Sequence, residues 1–153
     1  ALRYANVYGP RQDPHGEAGV VAIFGRQVLA GEPLTVYGDG EQTRDYVYVA
    51  DAARANLLAA RMEVPEGLSI DQLAYNVGTG VETSVNELAE AVQEAAGRRV
   101  ELVHDDPRTG ELRRSALDAS KLEGRGWAAE TSLAEGLRQT LSHLRSREGA
   151  AAG

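Results

Sequence analysis

Residues 35–51 read TVYGDGEQTRDYVYVAD and combine two β-rich runs, a turn signal and a helix start. Asp39-Gly40 between the runs is typical of a hairpin turn, and Asp51 is placed to begin a helix. Arg44 offers a planar guanidinium that matches phosphate oxygens, and Tyr37 offers an aromatic face on which a base could stack. The segment fits a binding site for a nucleoside diphosphate. Taken alone, these residues favour the simpler interpretation of a hairpin with one surface arginine.

The composition predicts one globular unit and excludes several classes of function. The 153 residues are 42% hydrophobic, which suits a domain with a sizeable core. A net charge of −7 argues against a nucleic-acid or anionic-membrane surface. There is no cysteine for disulfides or thiol chemistry, and no apolar run approaches the ~18–20 residues of a membrane span. We expect a cytoplasmic protein with no nucleic-acid or membrane partner.

Hydrophobic periodicity and turn residues predict an α/β arrangement. Ser84 with Glu87, and Ser132 with Glu135, have the spacing of helix capping boxes. Polar and then Ala/Gly-rich residues after position 144 predict a flexible tail. The predicted strands are 2–7, 34–37, 45–49, 74–77 and 100–103, and the predicted helices are 18–29, 51–61, 84–97 and a last one that follows Ser132.

Two further patterns suggest sites without completing them. Gly78-Thr79-Gly80 follows a strand and precedes a helix, as a dinucleotide-binding loop does, but Thr83 stands where the third glycine of that fingerprint belongs. Three histidines are present, and they lack the paired spacing of metal ligands: His15, His104 and His143. We therefore expect no metal site.

Three further blocks accompany residues 35–51: LRYANVYGPRQ at 2–12, YNVGTG at 75–80 and PRTGELRRSALDASK at 107–121. In this order the four blocks resemble the C-terminal half of the NAD-dependent nucleotide-sugar epimerase/dehydratase family. These are the extended short-chain dehydrogenases, and the UDP-glucose 4-epimerases are the nearest subgroup.

The resemblance implies a fold and a domain organisation. The fold would be α/β, the substrate-binding part of an extended short-chain dehydrogenase with the last strands and helices of a Rossmann-type domain. Residues 1–144 would form the C-terminal sugar-nucleotide-binding portion, within which 1–8 is a strand of the truncated Rossmann domain. Residues 145–153 would form the tail.

The resemblance also implies that the catalytic chemistry lies elsewhere. Members of the family remove a sugar hydroxyl proton with a Tyr-x-x-x-Lys pair and bind NAD at a glycine-rich loop. None of the 6 tyrosines has a lysine four residues later, and no such loop opens a βα unit. Both motifs belong to the family's N-terminal half. We therefore expect no catalytic residue in this chain, NAD bound mainly by the missing half, and no activity from the chain alone.

Seven residues match ligand-binding positions of the family. Arg44 and Arg108 correspond to two arginines that clamp the diphosphate, and Tyr37 to the residue that flanks the nucleobase. Each match also has a simpler interpretation. The arginines could form surface ion pairs, Tyr37 could be an edge-strand tyrosine and Tyr4 a core tyrosine. Asn6 could be a turn asparagine, and Gly19-Val20 a plain helix start. The remaining matches are Tyr4 beside the nicotinamide ring, Asn6 at the diphosphate or sugar, and Gly19 and Val20, whose backbone at a helix start meets the nucleotide.

The function implied by the resemblance is binding of the nucleotide-diphosphate part of an NDP-sugar, UDP-glucose or UDP-galactose, for NAD-dependent 4-epimerisation. Two alternatives stay open. One is an NDP-sugar 4,6-dehydratase or a UDP-glucuronate epimerase or decarboxylase, and the other is a non-catalytic sugar-nucleotide-binding fragment. Arg44-Asp45-Tyr46 favours the epimerases, since a tryptophan variant of this motif is common in dehydratases. The complete enzyme would be a homodimer.

Overall fold

The computed structural model describes residues 1–13, 19–63 and 65–151 and has the expected α/β fold. His15 and Ala18 lie outside the described residues. No helix in the described ranges is long and apolar enough to cross a membrane. The strands are β1 (Leu2–Tyr4), β2 (Asn6–Tyr8), β3 (Leu34–Tyr37), β4 (Thr43–Arg44), β5 (Tyr46–Tyr48), β6 (Tyr75–Val77), β7 (Thr83–Ser84) and β8 (Leu102–Asp105), and the helices are α1 (Val20–Ala30), α2 (Val49–Ala59), α3 (Val85–Ala96), α4 (Ser120–Glu123) and α5 (Leu133–Ala151).

The strands form pairs that join distant parts of the chain. β1 pairs with β6, β2 with β5 and β3 with β8, all in parallel, whereas β4 and β7 are antiparallel. The predicted strand 2–7 is divided at Ala5, where the chain passes from one parallel pair to another. The Ala5 N–H donates to the Val77 carbonyl at 2.9 Å, and the Asn6 N–H donates to the Asp45 carbonyl at 2.9 Å. The switch places Asn6 beside the junction of β4 and β5.

The predicted Asp39-Gly40 hairpin is wrong. β3 and β5 do not pair with each other, because β3 pairs with β8 and β5 pairs with β2. Asn86, at the start of α3, holds the Asp39-Gly40 turn instead. Its side-chain amide donates to the Asp39 carbonyl at 2.9 Å, and its backbone N–H donates to the Gly40 carbonyl at 3.1 Å. Gly40 has a φ of 74°, and a Cβ there would lie 2.0 Å from the Asn86 side-chain oxygen. Glycine is therefore required by conformation and by space.

Two buried apolar clusters hold the described elements together. The larger packs α1, α3 and α5 against β3 and includes Phe24 and Leu137. The smaller packs α2 and α4 against β6 and includes Trp127. α3 contributes to the larger cluster because its apolar residues recur at helical spacing on one face: Leu88, Ala89, Val92 and Ala96.

α3 begins with the capping box expected from the sequence. The Ser84 hydroxyl accepts from the Glu87 N–H at 3.1 Å, and the Glu87 carboxylate accepts from the Ser84 N–H at 2.7 Å. The bond from the Ser84 N–H, followed by the bond from its hydroxyl, holds the pKa of Glu87 below its usual range. At α5 the Ser132 hydroxyl accepts from the Glu135 N–H at 3.2 Å. The Glu135 carboxylate, however, bonds to side chains one turn further along the helix.

α2 begins at Val49, two residues earlier than predicted, and Asp51 is buried in its first turn. The Asp51 carboxylate pairs with Arg54 at 2.6 Å and accepts from the Thr131 N–H at 3.1 Å. Its carbonyl accepts from the Trp127 indole at 3.0 Å. Asp51 therefore anchors α2 to the segment before α5 and does not serve as the helix cap.

α5 continues to Ala151, through most of the segment expected as a tail. Arg145 donates to the Ala96 carbonyl at 2.6 Å. That carbonyl lies at the C-terminal end of α3, where the helix dipole favours a cation. This contact continues the packing of α5 against α3 beyond the predicted end of the helix.

Asp45, between β4 and β5, is a buried carboxylate that is 1% exposed. It accepts from the Thr79 N–H at 2.9 Å, from the Thr79 hydroxyl at 2.6 Å and from the Gly80 N–H at 3.1 Å. The Leu117 N–H donates to it at 3.3 Å. A Cβ at Gly78 would lie 2.4 Å from the carboxylate. The loop that resembles part of a dinucleotide fingerprint therefore binds an internal carboxylate.

Replacing the N-cap residue of α3 tests the capping box. Ser84→Ala should lower the free energy of unfolding by about 1 kcal/mol near neutral pH, the usual effect of losing an N-cap. Ser84→Ala keeps the bond from the backbone N–H of residue 84, the larger cause of the lowered Glu87 pKa, and removes the bond from the hydroxyl, the second cause. The contribution of the hydroxyl bond to stability is present above the ordinary glutamate pKa and is lost as the pH falls through the lowered pKa. The difference in the free energy of unfolding between wild type and Ser84→Ala, measured by denaturant unfolding, should therefore become smaller in acid.

Ser132→Ala is the matched control for this experiment. Gln139 first, and then Arg138, lower the pKa of Glu135, with no contribution from Ser132. The gap for Ser132→Ala should therefore not change with pH in the glutamate range. A gap for Ser84→Ala that is equally insensitive to acid would contradict the role of Glu87 in the box.

Neutralising Asp45 tests the buried carboxylate. In Asp45→Asn an amide N–H₂ would face the N–H groups of residues 79–80, so donors would meet donors. We expect the free energy of unfolding to fall by at least about 3 kcal/mol. Asp106→Asn is the control, since the Asp106 side chain is exposed and makes no hydrogen bond or ion pair with a described residue. It should change stability by less than about 0.5 kcal/mol, and equal losses in the two variants would refute the proposed role of Asp45.

Candidate functional site

Five of the seven predicted residues line one cavity of about 160 Å³. Asn6 begins β2, Val20 begins α1, Tyr37 ends β3 and Arg44 ends β4, while Arg108 lies on the segment after β8. Parallel pairing of β2 with β5 and of β3 with β8 brings these positions together. Apolar side chains close one wall of the cavity: Ile23, Phe24 and Val85.

Gly19 lies at an adjoining cavity of about 360 Å³, which shares Asn6 and Val20 with the first. A Cβ at Gly19 would lie 2.5 Å from the Gln12 side-chain amide, so the backbone approaches this side chain closely. No described side chain caps α1. The Ala22 N–H donates to the Gly19 carbonyl at 3.0 Å, so the N–H groups of Val20 and Val21 are the ones that could bind an anion.

Tyr4 lies apart from the other predicted residues. It ends β1, the residue is 44% exposed, and its hydroxyl donates to the Asn56 side chain of α2 at 2.8 Å. It lines neither of the two cavities described above. Its predicted contact with nicotinamide stays a prediction.

Arg44 is already held by several acceptors. Its Nη1 donates to the carbonyls of Thr43 and Leu112, each at 2.7 Å, and its Nη2 pairs with the Glu111 carboxylate at 3.1 Å. The Arg44 side chain is only 19% exposed. Arg44 thus fastens segment 111–112 to β4 at the edge of the cavity.

Arg108 is held quite differently. Its guanidinium carbon lies 4.0 Å from the centroid of the Tyr37 ring, within the range of a cation–π interaction. Among the described residues, no hydrogen bond or ion pair involves this guanidinium. Arg108 therefore brings to the cavity a positive charge that no described carboxylate neutralises by direct contact.

Four polar residues of the cavity were missed in the sequence: Thr35, Gln42, Tyr46 and Glu111. The Tyr46 hydroxyl is buried and bonds to no described residue. Burial, opposed by Arg44 and reinforced by Glu111, raises the pKa of Tyr46 to about 12. The phenol therefore stays protonated at neutral pH and can donate a hydrogen bond to a ligand. Gln42 and Tyr46 lie two residues on either side of Arg44 in an extended segment, and this spacing could have identified both.

The glycine-rich loop at 78–80 does not fit the pyrophosphate of a dinucleotide. The N–H groups of Thr79 and Gly80 already bond to the buried Asp45 carboxylate. A phosphate at this loop would compete for those donors and would face a like charge. The described residues also contain no cluster of three or more His, Asp or Glu side chains that could bind a metal.

The cavity has the chemistry of a site for an anionic aromatic ligand. Arg108 supplies positive charge, and the Tyr46 hydroxyl supplies a donor that has no described partner. The Asn6 amide uses one N–H for the Asp45 carbonyl and keeps the other, whereas the Gln42 amide already bonds to the Tyr37 carbonyl and to Glu111. The Tyr37 ring supplies a face for stacking. Glu111 and Arg44 shape the rim through their ion pair. These groups suit binding and orientation of a ligand.

Comparison with known proteins gives consistent matches. The sequence model of the NAD dependent epimerase/dehydratase family matches residues 1–78. A UDP-glucose 4-epimerase of Mycolicibacterium smegmatis is 48% identical over 144 residues, which cover 94% of this chain and 44% of the relative. A dTDP-glucose 4,6-dehydratase of Actinoplanes sp. is 34% identical over 148 residues, covering 94% of this chain and 43% of the relative.

The fold is also shared with a solved structure. The UDP-glucose 4-epimerase of Thermotoga maritima, solved with UDP-glucose, superposes with a TM-score of 0.88 at 49% identity, covering 96% of this chain and 46% of the other. The chain therefore spans about half the length of the relatives that it matches. The resemblance seen in the sequence is confirmed, and the chain belongs to the NAD-dependent epimerase/dehydratase family.

Proposed function

We propose that this chain binds the nucleoside-diphosphate part of an NDP-sugar, UDP-glucose or UDP-galactose, for NAD-dependent 4-epimerisation. The observation that carries the proposal is the cavity in which Tyr37, Arg44 and Arg108 meet Asn6 and Val20. An aromatic face and guanidinium groups are the recognition elements that a base and a diphosphate require. The similar proteins named UDP-glucose 4-epimerases support uridine as the nucleoside.

The proposed role of these residues is to anchor the nucleotide. Epimerisation at C4 needs the sugar to present both faces, so the nucleotide must stay bound while the sugar turns. Arg108 and the Tyr46 hydroxyl donate to the diphosphate, and Arg44 keeps the segment that carries Arg108 in place. Charge-assisted hydrogen bonds are about twice as strong as neutral ones, so a diphosphate anchor outlasts the weaker contacts of a moving sugar.

From the family resemblance we propose that the catalytic groups and the site for NAD lie outside this chain. The described cavity contains no tyrosine–lysine pair, and the 78–80 loop is occupied by Asp45. From the family resemblance we further propose that the complete protein is a cytoplasmic homodimer. A monomeric sedimentation profile for that protein would overturn the dimer assignment.

A 4,6-dehydratase is the second candidate, because the Actinoplanes enzyme is similar over nearly all of this chain. It would use the same nucleotide site, and so would a UDP-glucuronate epimerase or decarboxylase. Incubation of the complete protein with UDP-glucose, followed by identification of the sugar formed, separates these reactions. UDP-galactose supports the epimerase, and a 4-keto-6-deoxy sugar supports the dehydratase. Binding without turnover supports the non-catalytic alternative.

Lysine substitutions test the two arginines in the complete protein. Arg44→Lys and Arg108→Lys keep the charge but lose the planar fork, and Arg44→Lys also releases the Leu112 carbonyl and weakens the hold on Glu111. Arg108→Lys should weaken UDP binding about ten- to hundredfold, the effect of losing one charged hydrogen bond worth about 1.5–3 kcal/mol. Arg44→Lys should also weaken UDP binding, because the segment 111–112 next to Arg108 is then held less firmly. Calorimetric titration with UDP measures the change.

Arg99→Lys is the matched control, since Arg99 is exposed and its side chain has no hydrogen bond or ion pair with a described residue. UDP affinity should be unchanged in this variant. NAD content should remain constant in all three variants, because neither cavity arginine is expected to touch the dinucleotide. Unchanged UDP affinity in both cavity variants would remove the diphosphate assignment.

The 153-residue chain alone should bind no NAD and show no epimerase activity. The reason is that its only loop resembling a dinucleotide fingerprint, in the part that the structure describes, already binds a carboxylate. Calorimetry with NAD, at a protein concentration where UDP binding is measurable, provides the test. Micromolar affinity for NAD would show that this chain contains a dinucleotide site.

A further inference from the structure

Arg108 stands between two cavities. The first is the site of about 160 Å³, and the second, of about 440 Å³, lies on the side of Gly38 and Pro107. Four residues line both cavities: Tyr37, Gln42, Arg108 and Glu111. The Arg108 guanidinium rests on one face of the Tyr37 ring, so a base that stacks on this face must displace it.

The first cavity alone is too small for a nucleotide. Sites for small organic ligands usually measure about 300–1,000 Å³, and the first cavity has about 160 Å³. The second cavity is large enough but is not lined by Asn6, Val20 or Arg44. A nucleotide that contacts these three residues therefore extends beyond the first cavity, and a base stacked on the Tyr37 face that Arg108 covers needs the space of the guanidinium.

Arg108 is the part of this partition that is able to move. Residue 108 is exposed, and the stacking contact with Tyr37 is the only polar or ring contact of its side chain among the described residues. The Tyr37 backbone is fixed, because its carbonyl accepts from the Gln42 amide at 3.0 Å and β3 pairs with β8. Arg44 is held by two carbonyls and one carboxylate. A ligand therefore displaces Arg108 more readily than Tyr37 or Arg44.

We propose that Arg108 covers the Tyr37 ring in the free protein and is displaced by the nucleobase, so that its guanidinium moves onto the diphosphate. This inference rests on the proposed function. It adds that binding of the base and binding of the diphosphate are coupled, because both depend on the position of Arg108. A nucleoside without phosphates must displace Arg108 and gives it no new partner. A nucleoside diphosphate displaces the same side chain and binds it again. The site therefore discriminates against ligands that carry the base alone.

The test is a change of opposite sign for two ligands of the complete protein. In Arg108→Ala the Tyr37 ring is uncovered, so uridine should bind about two- to fivefold more tightly. This factor is the free energy of an exposed cation–π contact converted into a ratio of affinities. UDP should bind at least about tenfold more weakly, because the diphosphate loses a charged donor. Titration with uridine and with UDP gives both affinities. Arg108→Gln should show the same pair of signs and guards against a fold defect specific to alanine.

Arg114→Ala is the control on the same segment. Arg114 is 78% exposed, lines neither cavity and approaches Glu82 only at 3.9 Å. Its loss removes the same charge from the same part of the chain, and the affinities for uridine and UDP should both stay at the wild-type value. An equal tightening of uridine in Arg114→Ala would show that net charge, and not the cover on Tyr37, sets the effect.

The outcomes separate this inference from the function on which it rests. If uridine binds Arg108→Ala more weakly than wild type or equally well, Arg108 does not cover the Tyr37 ring. If UDP binds this variant as tightly as wild type, Arg108 does not move onto the diphosphate. Tyr37→Leu addresses the function itself and should weaken both ligands, since it removes the stacking face. If wild-type protein binds no UDP, or if Tyr37→Leu leaves UDP affinity unchanged, the proposed nucleotide site fails whatever Arg108 does.

Discussion

The arrangement of the site depends on how the protein replaces water around one buried charge, the Asp45 carboxylate. A carboxylate removed from water is destabilising unless hydrogen-bond donors surround it. Here the donors come from residues 79–80 and from Leu117, while the Asp45 backbone bonds to Asn6 and Ser115. Satisfying this charge therefore fixes early, middle and late segments of the chain relative to one another.

The cavity lies on one side of the extended segment 42–46, and the Asp45 carboxylate lies on the other side. Side chains alternate along extended backbone, and Gln42, Arg44 and Tyr46 all line the cavity while Asp45 points to the 79–80 loop. The orientation of the cavity residues therefore follows from the solvation of Asp45. This link explains how a loop that resembles part of a dinucleotide fingerprint helps to orient the cavity residues through Asp45.

Features with a local cause could be predicted from the sequence, whereas features that arise from distant pairing could not. The capping box at Ser84 was correct because its partners lie three residues apart. The hairpin at Asp39-Gly40 was wrong because the true partner of β3 is β8, which no local signal indicates. The cavity residues were identified through family resemblance, and Glu111 was missed because its role depends on a long-range pair with Arg44.

The two arginines look equivalent in the sequence but have different physical roles in the fold. Arg44 must exchange a carboxylate and two carbonyls before it can give its full hydrogen bonding to a ligand, so most of its binding free energy is spent on structure. Arg108 loses only its contact with the Tyr37 ring when it binds a ligand. Nearly all of its hydrogen-bonding capacity and charge is therefore available to an anion. Of the two cavity arginines, only Arg108 has no carboxylate partner among the described residues. In a chain with a net charge of −7, the proposed attraction for a diphosphate would therefore depend mainly on Arg108.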